Sequence, residues 1–206
     1  MKKMILSAVL AVSGLASAAT WEIDSAHATA GFTAKHLGIT NVNGTLGTVS
    51  GKFNVDDKDI TKSTIEATID VKGINTNMAK RDDHLKSPDF FDVAKFPEAK
   101  FKSTKVEKGS ADNKLKVTGD LTMHGVTKPV TFETELSAEV DHPMVKGAKA
   151  RAATAALTLN REDWGLTWNM PLANNGLVVS KEIKVALEVE LMKAPAADPK
   201  AAPAKK

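Results

Sequence analysis

Apolar and polar residues alternate with a period of two through most of the chain after residue 20, in short runs separated by Gly, Asn and Asp. Successive side chains point to opposite faces of a strand, so each run predicts a strand with one apolar and one polar face. The clearest run sets Ser63, Ile65, Ala67, Ile69 and Val71 against Thr64, Glu66, Thr68, Asp70 and Lys72. The last sets Ile183, Val185, Leu187, Val189 and Leu191 against Glu182, Lys184, Glu188 and Glu190. After a short extended piece at Trp21–Asp24, the first run puts Ala28, Ala30, Phe32, Ala34 and His36 on one face. Further runs lie at Val49–Val55, Ala99–Ser103, Leu115–Leu121, Val130 to about Val140, and 150–160. Turns are expected at Asn41–Gly47, where Asn43-Gly44 is a hairpin signal, at Met123-His124-Gly125 and at Asn174-Asn175-Gly176.

Eight short strands predict an all-β protein, and closure into an eight-stranded antiparallel up-and-down barrel leaves no exposed edge. The last run reaches about fifteen residues, roughly 50 Å at ~3.4 Å each. Tilted by ~40°, it still rises roughly 35–40 Å, which makes the barrel tall, narrow and suited to a long apolar guest. Ala28, Ala30 and Ala34 on one inward face leave volume that a close-packed core fills. Either the opposite wall fills it or it is a cavity.

One stretch, Arg81–Phe101, breaks the alternation. It places Phe90, Phe91, Phe96 and Phe101 close together in a chain with seven Phe. Ala79–Lys86 reads as one or two helical turns, and Pro88 biases Ser87 out of the helical region. Asp89-Phe90-Phe91-Asp92 reads as a further short helix or turn. The expectation is a helical insertion around residues 79–92 that closes or lines part of the container.

The ends of the chain read differently. Lys2 and Lys3, the apolar run Met4–Leu15 and Ala16-Ser17-Ala18 form a signal peptide over 1–18, with cleavage after Ala18 or at the adjacent Ser17-Ala18-Ala19. No Cys follows that site to carry a lipid anchor, and the apolar run is too short to remain as a membrane span. A periplasmic or secreted protein with no integral membrane segment is expected. Residues 193–206 form an Ala/Pro/Lys tail of low complexity, read as disordered, and 19–192 form one barrel domain. The net charge of +3 comes from the lysines of these ends, and the barrel domain is slightly acidic. No broad basic surface follows, which argues against nucleic acid as a partner.

Candidate chemistry is sparse. With no Cys, thiolate catalysis and Cys metal sites are excluded. His27, His36, His84, His124 and His142 show no metal-binding spacing, so no metal is expected. No G-x-S-x-G elbow occurs, and Gly44–Gly51 lacks the following Lys-Ser/Thr of a phosphate loop. The cluster Arg81, Asp82, Asp83 and His84 has three readings: an acid–base site, a capped helical turn with Arg81 on a carboxylate, or contacts from Arg81 and His84 to a ligand head group. Trp164 and Trp168 either plug one barrel end or pack as ordinary loop residues.

Five segments together resemble the YceI-like family of bacterial polyisoprenoid-binding proteins. They are Trp21–Asp24 with His27, Phe32 and His36; Arg81-Asp82 through Phe101; Gly119–Val130; Asn160-Arg161 with Trp164-Gly165-Leu166; and Val179–Glu190. The resemblance implies an extended lipocalin-like barrel, an exported protein, and a long isoprenoid or similar amphiphile held inside without catalysis. One departure is Ala28, Ala30 and Ala34, where the family often has Ser and Val. The residues expected to contact the ligand are Phe32, Ala34, His36, Phe53, Ile65, Ile69, Phe90, Phe91, Phe101, Leu121, Phe132 and Trp168. No catalytic residue and no cofactor other than the bound lipid are expected, and a homodimer stays open. The alternatives are an enzyme working on such a lipid through Arg81–His84, and a stress or interaction protein that uses its outer surface and Lys tail.

Overall fold

A computed structural model of the chain describes residues 19–56, 58–173 and 176–195. The signal peptide read at 1–18 and the tail from 196 onward lie outside the described residues, as do Asn174 and Asn175 of the expected third turn.

The alternating runs form strands β1 (Ala19–His36), β2 (Thr40–Thr45), β3 (Thr48–Val55), β4 (Thr64–Asp70), β5 (Glu98–Lys108), β6 (Lys114–Met123), β7 (Val126–Leu136), β8 (Val140–Asp141), β9 (Lys149–Asn160) and β10 (Val179–Lys193). The strands follow the order β10-β1-β3-β4-β5-β6-β7-β9, and β9 pairs back onto β10. All these pairings are antiparallel, so eight strands close the expected barrel. β2 continues the line of β3 along the far half of β1, and β8 is a two-residue addition to β9.

Two details differ from the expected pattern. Asn43-Gly44 is not a turn; it lies within β2, and the chain reverses at Leu37-Gly38, both at positive φ. Gly44 serves close packing instead, since a Cβ there would sit 2.7 Å from the Phe32 ring and 2.7 Å from the Asn75 carbonyl oxygen. The sixth run also stops at Leu136 rather than near Val140. The turn at His124-Gly125 does form, with both residues at positive φ, the conformation a two-residue hairpin of right-handed twist requires.

Strand β1 changes parity midway. Trp21 and Ile23 are buried, then the ladder with β10 shifts between Asp24 and Ala28, and Ala28, Ala30, Phe32 and Ala34 take the inward positions. The residues 25–27 between them form a bulge, which re-aims the strand without ending it.

The insertion forms helix α1 (Ala79–Lys86), followed by turns. No residue of α1 is buried, but Phe90 and Phe91 just after it are. These two join Val71, Ile74, Ala99, Met123, Trp164 and Leu166 in a cluster at the end of the barrel that carries α1. A second cluster, centred on Trp21, Phe53, Val117 and Leu191, fills the opposite end. There the Trp21 ring is flanked by Lys193 Nζ at 4.5 Å and the Arg151 guanidinium carbon at 5.4 Å.

Outward positions carry charge. Glu66 takes Lys102 at 3.1 Å and Lys52 at 3.6 Å on the exterior of the sheet. An apolar interior with a polar exterior is the reverse of a lipid-embedded barrel. No helix among the described residues is long and apolar enough to cross a membrane.

Candidate functional site

The two end clusters share no fully buried residue and are bridged by the partly buried Leu46 and Ile69. In the middle of the barrel, inward residues such as Phe32, Phe101, Leu121, Phe132 and Leu187 stay half-exposed although they point away from bulk solvent. They keep accessible surface because they face a cavity of 190 Å³. Phe101 and Phe132 lie on its wall with ring centroids 5.2 Å apart. The lining follows β10 from Val179 to Val189, about 34 Å of strand at ~3.4 Å per residue. At a strand tilt of ~40° this is roughly 26 Å along the barrel axis, so the small volume is drawn out as a channel rather than gathered in one chamber.

Among the described residues of the lining, only Thr134, Thr154 and Arg161 have polar side chains. Of the expected contact residues, Phe32, Ala34, Phe53, Ile65, Ile69, Phe90, Phe91, Phe101, Leu121 and Phe132 line the cavity. His36 does not: it is the last residue of β1, beyond the point where the ladder with β10 is interrupted. Trp168 does not either. It stacks behind Phe90, centroids 5.2 Å apart, and beside His84 at 4.8 Å. Trp164 is buried in the same end cluster and donates its indole N–H to the Leu121 carbonyl at 3.0 Å. Both tryptophans therefore sit at the α1 end of the barrel.

The cluster at Arg81–His84 faces elsewhere, since none of its four residues lines the cavity while the next one, Leu85, does. Among the described residues Arg81 forms no ion pair with a carboxylate. Its Nε donates to Thr76 Oγ1 at 2.7 Å and its Nη2 to the Thr76 carbonyl at 2.9 Å. Asp82 accepts from the Thr76 backbone N–H at 2.8 Å and from its hydroxyl at 2.5 Å. His84 Nε2 lies 2.8 Å from Asp89 Oδ2. Thr76 thus ties α1 to the loop before it.

Burial, the largest single influence on the Asp82 carboxyl, raises its pKa. The two Thr76 hydrogen bonds, with Lys86 and Arg81 nearby, outweigh it and hold the carboxyl below its ordinary value. A carboxyl held lower in the folded state stabilises the fold above its unfolded pKa and loses that contribution as pH falls through the folded value. Stability is therefore expected to drop below about pH 4, and to drop less in Asp82→Asn. Urea melts at near-neutral and strongly acidic pH measure this; equal losses in both proteins would clear Asp82 as the source.

Sequence reading passed over several lining residues. Ala153, Ala155, Leu157 and Leu159 occupy alternate positions of β9, and Arg161 continues the same parity just beyond the strand. That parity was the available signal, hidden by the rule that a charged residue after a strand faces water. Arg161 is 4% exposed. Its Nε donates to the Ser180 carbonyl at 3.0 Å and its Nη1 to the Leu166 carbonyl, whereas its Nη2 is buried without a partner. Burial lowers its pKa from the ordinary guanidinium value, with Glu162 acting in the opposite sense.

Away from the cavity, Asp24, His27 and Glu190 bring three potential metal-ligand atoms within 4.8 Å of one another. Spacing could not reveal this group, because the β1 bulge and the Asp24–Glu190 strand pairing assemble it. His27 is exposed, and its Nδ1 is already 2.7 Å from Asp24 Oδ2.

The sequence matches the YceI-like domain family over residues 21–191. It is 37% identical to Protein YceI of Salmonella arizonae over 196 residues, covering 92% of this chain and 97% of that one. The fold superimposes on the crystal structure of a Campylobacter jejuni YceI protein with a TM-score of 0.63 and 27% identity, over 76% of this chain and 87% of that one. It also superimposes on a polyisoprenoid binding domain from Saccharophagus degradans, with a TM-score of 0.62 and 16% identity, over 87% and 99% of the two chains.

Proposed function

The chain belongs to the YceI-like family, and from that premise we propose that its barrel binds one long apolar amphiphile for carriage, storage or sequestration in the periplasm. An isoprenoid quinone, a polyprenyl lipid or a fatty-acid-like lipid has the required shape. The observation that carries this reading is the interior channel, whose walls are apolar except at Thr134, Thr154 and Arg161. An apolar cavity of about 150 Å³ already takes up benzene. Here a similar volume is drawn out along the barrel, which favours a single thin chain over a compact ring system. Each buried CH₂ contributes ~0.8 kcal/mol, so about ten carbons contribute ~8 kcal/mol, near micromolar affinity before ordering costs. The polyisoprenoid binding domain of similar fold supports the same reading.

The proposed role carries no chemical step. Arg81 and Asp82 are engaged with Thr76, and none of the titratable groups at 81–84 lines the channel where a guest's reactive carbon would lie. A general acid or base must come within hydrogen-bond reach of the proton it moves.

Native mass spectrometry of the mature protein, purified from a bacterial periplasm without detergent, tests the proposal. The expected result is an adduct that extracts into organic solvent and whose mass gives the guest class. A clean unliganded mass, unchanged after incubation with quinones, polyprenyl phosphates and fatty acids, would overturn it.

A further inference from the structure

We propose that Arg161 is the head-group site of the channel, and that it selects an amphiphile ending in a single oxyanion, a carboxylate or a phosphate ester. This rests on the reading that the barrel holds an amphiphile, and adds which end of the molecule is recognised and by what.

The geometry is that of a cation left incomplete by the protein. A guanidinium has five N–H donors and keeps its charge at any ordinary pH. Two backbone carbonyls, of Ser180 and Leu166, take Nε and Nη1. These fix the plane of the group but supply no negative charge. Nη2 keeps its two N–H groups without a partner in a residue that is 4% exposed and lines an apolar channel. Among the described residues no carboxylate pairs with Arg161. The adjacent Glu162 is committed to Lys181, 2.9 Å away.

A buried, uncompensated charge is costly, and removing one partner of a buried ion pair is strongly destabilising for that reason. Nη2 has no surface open to the channel as the group stands, so an oxyanion reaches it by a small turn of the guanidinium, and then supplies the missing half with charge-assisted hydrogen bonds of the kind Arg forms best with carboxylate and phosphate. A neutral hydroxyl or ester offers an acceptor but leaves the charge uncompensated. The orientation follows from the fold. Arg161 begins the 3-10 turn Arg161–Trp164 at the C-terminal end of β9, the end carrying α1. The head group sits there, and the chain points toward the end closed by Trp21.

The test uses the mature protein and two matched pairs of probes: palmitate with 1-hexadecanol, and farnesyl monophosphate with farnesol. Each anion is expected to bind at least tenfold tighter than its neutral counterpart, and the better of the two anions identifies the head-group class. Wild-type protein with carboxyl-labelled palmitate gives a second readout by ¹³C NMR titration. A carboxyl moved into an apolar interior alone has a raised pKa, whereas one paired with a guanidinium has a lowered pKa. The bound carboxyl is expected to titrate below free palmitate. In Arg161→Gln the anion preference is expected to vanish while 1-hexadecanol still binds. If that variant does not fold, the wild-type titration decides. Equal binding of acid and alcohol, or a raised bound pKa, would overturn the role of Arg161 and leave the barrel as a carrier. Binding by none of the four probes would overturn this inference, while the carrier reading would still be decided by the native mass spectrum.

Discussion

Replacing Trp21 by Ala is expected to cost the fold about 3–5 kcal/mol, the range for truncating a large buried aromatic. Trp21 is fully buried, at 0% exposure, on the strand segment that pairs with β3, where its partner is Phe53. It is a central part of the cluster that closes the end of the barrel opposite α1. The side chain also carries two cationic neighbours, Lys193 at 4.5 Å and Arg151 at 5.4 Å from the ring centroid, and each such contact adds on the order of 0.5–1 kcal/mol at an exposed site. Domains of this kind are stable by roughly 5–15 kcal/mol, so the substitution removes a large share of the total. Urea denaturation reads it as a fall in midpoint with little change in slope. Trp168→Ala is the contrasting control, because that ring lies only partly buried behind Phe90. A loss at Trp21 no larger than at Trp168 would show that this end of the barrel is not where its stability resides.

Ala155→Phe is expected to act in the opposite direction on stability and to weaken guest binding at least tenfold. Ala155 lies on the channel wall, opposite Leu187 on β10 and Thr134 on β7. A phenyl ring added there enters the 190 Å³ cavity and takes the place of the guest's own carbons. Filling a real void commonly stabilises by ~0.5–2 kcal/mol. Forcing a ring into a packed core costs about 1–3 kcal/mol. The sign of the change in melting temperature therefore tests for the channel independently of any ligand, and fluorescent fatty-acid displacement measures the loss of binding. A lower melting temperature with unchanged binding would place the guest elsewhere.

The sequence carried the barrel well because its strands are wet on one face, which makes the apolar alternation readable at Ile65–Ile69 and Ile183–Leu191. The helix at 79–86 was legible from the opposite signal, the loss of alternation before Pro88. Local rules failed where distant parts of the chain decide the outcome. Asn43-Gly44 has turn chemistry, but its glycine is needed for the approach of Phe32 and Asn75. The burial of Trp21 was hidden by the bulge at 25–27, which puts Trp21 and Ala28 on the same side despite opposite parity. His36 ends β1 outside the lining, and Trp168 stands behind the ring of Phe90. Arg161 is the most instructive omission. Its composition says surface; its parity, two residues after Leu159, says interior, and the carbonyls that hold it come from Leu166 and Ser180, outside its own strand.

Closure of the barrel joins its first strand to its last, with Glu22 opposite Met192. Closure also needs the pairing of β10 with β9, so one strand completes the ring on both sides. Until residues 179–193 are available, β1 and β9 both present unpaired edges, and no ring of strands exists to enclose anything. Contacts so distant in sequence are slow to form, because the whole intervening loop must be ordered before they stabilise anything. Without β10 the wall is therefore open along its whole height, between the free edges of β1 and β9.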